Sequence, residues 1–130
     1  MIYIWLNIWP ILAATLAGLV AGAIWWRLLA PPARWSLRLM LTAIVAEFWL
    51  AAILAGALIL APSSEAPRTV MALLTPVVIW AGFVLPAMLV THAARGLSFR
   101  LALIDVGHWL FVTFVQALVL HSIGLVVLPG

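Results

Sequence analysis

Four long apolar runs, separated by connections of only a few polar residues, constrain this chain more than any other feature. They cover roughly Ile2 to Trp26, Leu37 to Ala61, Val70 to Ala93 and Leu101 to Leu128. An α-helix rises 1.5 Å per residue, so each run meets the ~20 residues needed to cross a hydrocarbon core of about 30 Å. Composition agrees, with 68% of the residues hydrophobic and 7% charged, where soluble domains average about 25% charged. The expected fold is an all-α membrane protein of four transmembrane helices, about 2–27, 37–61, 70–93 and 100–128, arranged as two helical hairpins. The connections are too short to hold a soluble domain, which takes about 50 residues or more. Residues 1–130 therefore read as a single transmembrane domain.

The first run is read as a helix of the mature protein rather than a signal peptide. No positive charge precedes it, no small-x-small cleavage site closes it, and Arg27 follows it. Tyr3, Trp5 and Trp9 at one end, with Trp25 and Trp26 at the other, have the pattern of aromatic belts at two membrane surfaces. Pro31 and Pro32 break the helix into the first connection. The basic side chains are six arginines with no lysine. Arg27, Arg34, Arg38, Arg95 and Arg100 flank the first and third connections, and only Arg68 lies at the second. The positive-inside rule then puts both termini on the non-cytoplasmic side. Arginines at the ends of apolar runs mark topology, so no nucleic-acid partner is expected.

Chemistry is sparse along the chain. Cysteine is absent, which excludes disulfides, thiolate metal sites and Cys nucleophiles. Ser63 and Ser64 have no base placed beside them, and neither a nucleophile elbow nor a glycine-rich phosphate loop occurs. No catalytic residue and no metal site are expected, no cofactor is predicted beyond a bound lipid, and the chain is not read as an enzyme.

The informative residues are the polar ones inside the spans, because an ionisable group at the bilayer centre costs on the order of 2.5–3.5 kcal/mol on insertion scales and turns toward protein or water. Asp105, His108, Val112 and Gln116 share an arc of roughly 80° on the fourth helix, with His121 on the opposite side. Asp105 and His108 are three residues apart on one helical face, which allows a hydrogen bond within the helix or through water; Arg38 or Arg100 is an alternative partner for Asp105. Glu47 lies roughly 13 Å beyond Arg38 along the second helix, deeper than Asp105. It reads either as a structural hydrogen-bonding group or as a proton or cation site. His92, near the third basic connection, reads as a surface or C-terminal capping group.

Helix packing is expected through Gly18 and Gly22, a Gly-x-x-x-Gly step on a face that also holds Asn7, Ala14, Ala21 and Trp25. Gly82 and Pro86 are assigned to packing in the third span, with Pro86 freeing the Gly82 carbonyl and kinking the helix. The stretches ARWSLRLML from Ala33 and ARGLSFRLAL from Ala94 align once one residue is inserted, hinting at a parallel duplication.

Three runs of residues carry a likeness to a known family: Gly22-Ala23-Ile24-Trp25-Trp26, Trp80-Ala81-Gly82-Phe83-Val84-Leu85-Pro86 and Leu103-Ile104-Asp105-Val106-Gly107-His108. In this order they resemble the signatures of a small bacterial integral membrane family catalogued as domain of unknown function 1761. The chain departs from that pattern at Trp26, Asp105 and His108, where Tyr, Asn and Tyr are common. The resemblance implies a four-helix protein of the bacterial inner membrane and supplies no biochemical activity.

Three functional classes follow, the third of them a membrane enzyme or cofactor-binding protein, for which the chain lacks cysteines, clustered histidines, a nucleophile elbow and a glycine-rich phosphate loop. The first is a structural or accessory subunit packed in the bilayer against other membrane subunits or copies of itself. The second is a proton, cation or small-solute transporter or channel component using Glu47, Asp105 and His108.

Overall fold

The structure is a computed structural model that describes residues 1–31, 34–62 and 64–127. Its helices are α1 (Ile2–Leu6), α2 (Ile8–Leu29), α3 (Leu37–Leu60), α4 (Arg68–Ile79), α5 (Leu85–Ala94) and α6 (Phe99–Ile123), with a π-helical turn, Trp80–Val84, joining α4 to α5. Among the described residues there is no strand. Four segments, Ile8–Leu29, Leu37–Leu60, Arg68–Ala94 and Phe99–Ile123, are long and apolar enough to cross a membrane. The protein is an all-α, multi-pass membrane protein. Pro32, Ser63 and Leu128, given above a helix break, an inert hydroxyl and the end of the fourth span, lie outside the described residues.

Local chemistry explains where the helices begin and stop. Ser36 and Ser98 are N-caps, each accepting from the backbone N–H three residues on, Leu39 at 3.1 Å and Leu101 at 3.2 Å. These serines occupy matching places in the two similar stretches, so that similarity has a shared capping role.

The first span is interrupted at Asn7, where a continuous helix from residue 2 was expected. Pro10 is the cause: its ring collides with the carbonyl four residues back, Leu6, and it offers that carbonyl no donor. Asn7 leaves the helical conformation there, with φ −116° and ψ 24°. The fourth span stops at Ile123, short of the expected Leu128, because Gly124 turns the chain at φ +91°.

Pro86 disrupts the third span as expected, and the disruption takes the form of the π-helical turn just before it. A widened turn accommodates a residue that cannot complete the α-helical ladder. Pro76, inside α4, is buried.

Helix α6 is the centre of the bundle. Its most extensive seam is with α2, and it also packs on α3, α4 and α5; α2 in turn packs on α3. The core is built largely of small side chains, Ala14, Ala51, Ala52 and Ala55, with Ile11, Leu54 and Leu120. Small residues let helices approach closely where lipid removes the usual hydrophobic drive. The outer surface is apolar, as a lipid-facing surface must be: Leu60, Val45 and Phe83 are all exposed.

Candidate functional site

The α2–α6 seam places two glycines against the polar residues of the interior. A Cβ added at Gly18 would lie 2.5 Å from Glu47 Oε2 and 2.6 Å from Gln116 Nε2; one added at Gly22 would lie 2.6 Å from His108 Nε2. No larger residue fits there without displacing those groups. The Gly-x-x-x-Gly step thus admits Glu47, Gln116 and His108 into the protein interior, where they are 3%, 0% and 1% exposed. Gln116 Nε2 donates to the backbone carbonyl of Glu47 at 3.2 Å, tying α6 to α3.

Four atoms of this group, Glu47 Oε2, Gln116 Oε1 and both ring nitrogens of His108, are buried with no hydrogen-bond partner among the described residues. Leaving a buried polar group unmatched costs about 1–3 kcal/mol. Their concentration in one seam sets it apart from the rest of the interior. His108 is held by its ring: it stacks flat on Trp26 with centroids 4.2 Å apart and meets Trp109 edge-on at 4.9 Å.

Asp105 turns away from this group. The helical hydrogen bond expected between Asp105 and His108 is absent, as is an ion pair with Arg38 or Arg100; His92 of α5 is the partner, with Nε2 2.8 Å from Asp105 Oδ2. His92 is buried between helices and is not the surface capping group expected from its place in the sequence. Its other nitrogen, Nδ1, donates to the Met88 carbonyl at 2.9 Å. A carbonyl only accepts, so Nδ1 carries a hydrogen, and one further proton is shared between Nε2 and the carboxylate. The pair is net neutral whichever atom holds that proton. Asp105 also lines a cavity of about 290 Å³ with Trp26, Met88 and Trp109.

Indole groups brace the same end of α6. Trp80 Nε1 donates to the Val106 carbonyl at 2.7 Å, and Trp25 Nε1 donates to that of Ile104 at 3.0 Å. At the other end of the seam Asn7 binds a returning tail: its Nδ2 donates to the carbonyls of Tyr3 and Val126, both at 3.0 Å, and its Oδ1 accepts from Val126 N–H at 2.6 Å. The Asn7 break is therefore a docking point for the segment after Gly124.

The sequence-derived residues divide clearly. Glu47, His108 and Gln116 come together with Gly18 and Gly22, while Asp105 lies at one end of the seam with His92. Gly82 and Pro86 lie on an exposed face. A Cβ at Gly82 would meet nothing within 4 Å, so the packing role expected for that residue has no partner among the described residues. His92 was missed because its partner is on another helix. The signal available was the short third connection, which makes α5 and α6 antiparallel neighbours and brings the two residues to similar depth. Among the described residues no three His, Asp, Glu or Cys side chains converge as metal ligands.

Comparison with curated proteins and with solved structures gives no match. The family model described as a protein of unknown function (DUF1761) matches residues 9–121, the greater part of a chain whose helices and interior seam fall almost wholly within that range, and the protein thus belongs to the DUF1761 family.

Proposed function

We propose that this protein is a proton-handling membrane component in which the Glu47 carboxyl exchanges a proton within the α2–α3–α6 interior. One observation carries the reading: Glu47 Oε2, Gln116 Oε1 and the His108 nitrogens are buried in one seam with hydrogen-bonding capacity that no described residue uses. A carboxyl and an imidazole are groups that take up and release protons, and intramembrane ionisable residues mark ion and proton pathways. A second ionisable pair, His92–Asp105, lies beside a cavity at one end of the bundle. The five arginines at that end support a cytoplasmic-membrane orientation with both termini on the other side.

The test is proton flux in vesicles holding the purified protein, driven by a potassium diffusion potential and read with an internal pH dye. Wild-type protein is expected to carry flux that Glu47→Gln abolishes with helicity unchanged. Equal flux in the variant, or none in the wild type, counts against the reading.

A second reading, a subunit packing within a larger complex or against its own copies, is favoured by the third span. Only 6% of its most apolar window is buried, and Phe83 is 74% exposed beside the open space over Gly82. Gentle extraction is expected to yield an assembly well above 14.1 kDa. A monodisperse monomer opposes it.

A further inference from the structure

A second cavity, of about 250 Å³, lies where the C-terminal ends of α3 and α6 meet the start of α4. Its polar lining comes from Arg68 and His121, and its apolar wall includes Leu58, Met71, Leu120 and Leu125. Helix termini gather there, so the cavity is at a membrane surface with its apolar wall continuing toward the bilayer. Arg68 makes no ion pair among the described residues, where the one ion pair is His92–Asp105. His121 Nε2 is 3.4 Å from Thr69 Oγ1, a long contact that leaves the ring close to the cavity.

The position of Arg68 is itself informative. The other five arginines sit at the opposite end of the bundle, where they account for topology. Arg68 opposes that asymmetry, and it lines a cavity that, among the described residues, no acidic side chain lines. A guanidinium offers paired donors matched to phosphate oxygens. Pro67 provides no side-chain cap to α4, so the first-turn N–H groups add positive potential on the same side.

We infer that this cavity binds a phosphate oxyanion through Arg68 and His121, the acyl chains lying against Leu58 and Met71 where the oxyanion belongs to a lipid. This site is distinct from the Glu47 seam and does not depend on the proton reading. A phospholipid headgroup and a free phosphate present the same oxyanion.

Native mass spectrometry of the detergent-extracted full chain separates these sources and tests the site. The probes are phosphatidylglycerol, diacylglycerol with the same acyl chains, and inorganic phosphate. Wild-type protein is expected to retain one phosphatidylglycerol and not diacylglycerol. Arg68→Gln, on an exposed residue, should lower that retention about tenfold, the scale of losing a charged hydrogen bond, while Arg100→Gln at the other end leaves it unchanged. Displacement by inorganic phosphate assigns the site to free phosphate, and persistence assigns it to lipid. Equal retention by Arg68→Gln, equal loss in Arg100→Gln, or equal retention of diacylglycerol overturns the inference.

Discussion

At Gly18 the absence of a side chain is what allows a carboxyl and an amide from two other helices to enter the interior. Gly18→Ala would place a methyl 2.5 Å from Glu47 Oε2 and 2.6 Å from Gln116 Nε2, and overpacking of this kind costs about 1–3 kcal/mol. Thermal unfolding in detergent should show a clear loss of stability for this variant. Gly82→Ala, with nothing near its Cβ, should be neutral in the same assay. A pair of equal shifts would show that the seam is no tighter than the outer surface. Asp105→Ala removes the Nε2 partner of the largely buried His92 and should destabilise by about 1–3 kcal/mol. Asp105→Asn, which retains an oxygen for that nitrogen, should lose less. Both are read from the same denaturation curves.

At the scale of elements, the first and last spans are coupled through Asn7. Asn7→Ala deletes both hydrogen bonds to Val126 and the side-chain bond to Tyr3. Amide hydrogen exchange at Val126 should accelerate strongly, while exchange in the middle of α6 stays slow. Unchanged exchange at Val126 would mean that the tail is held by other contacts. This coupling was only half legible in the sequence. The face of Asn7, Ala14, Gly18, Ala21, Gly22 and Trp25 followed from helical spacing, and all of these are buried except Trp25, which is half-buried. The break at Asn7 was not read, because Pro10 lies so near the start of the run that it reads as a proline tolerated in the first helical turns, where lost backbone donors matter least. The stop at Gly124 was missed for a similar reason: an apolar run continues past it, and composition does not report backbone conformation.

For the whole molecule, hydrophobic run length was enough to establish four spans, since an apolar helix of that length has few other soluble or membrane-compatible uses. Rotation of each helix about its axis was legible only where the pattern was one-sided. It brought Glu47, His108 and Gln116 toward the interior but gave Asp105 the wrong partner, because a helical wheel reports neighbours on one helix and nothing of the facing one. The consequence for function is that the ionisable groups divide into a neutral His92–Asp105 pair at one end and an unmatched interior group around Glu47.

Proton exchange at Glu47 is most directly tested by difference infrared spectroscopy of the reconstituted protein across a step in bulk pH. The expected result is a carboxyl C=O band that changes with the step, shifts in heavy water and disappears in Glu47→Gln. A wild-type spectrum with no pH-dependent carboxyl band, or one whose band survives Glu47→Gln, would contradict it.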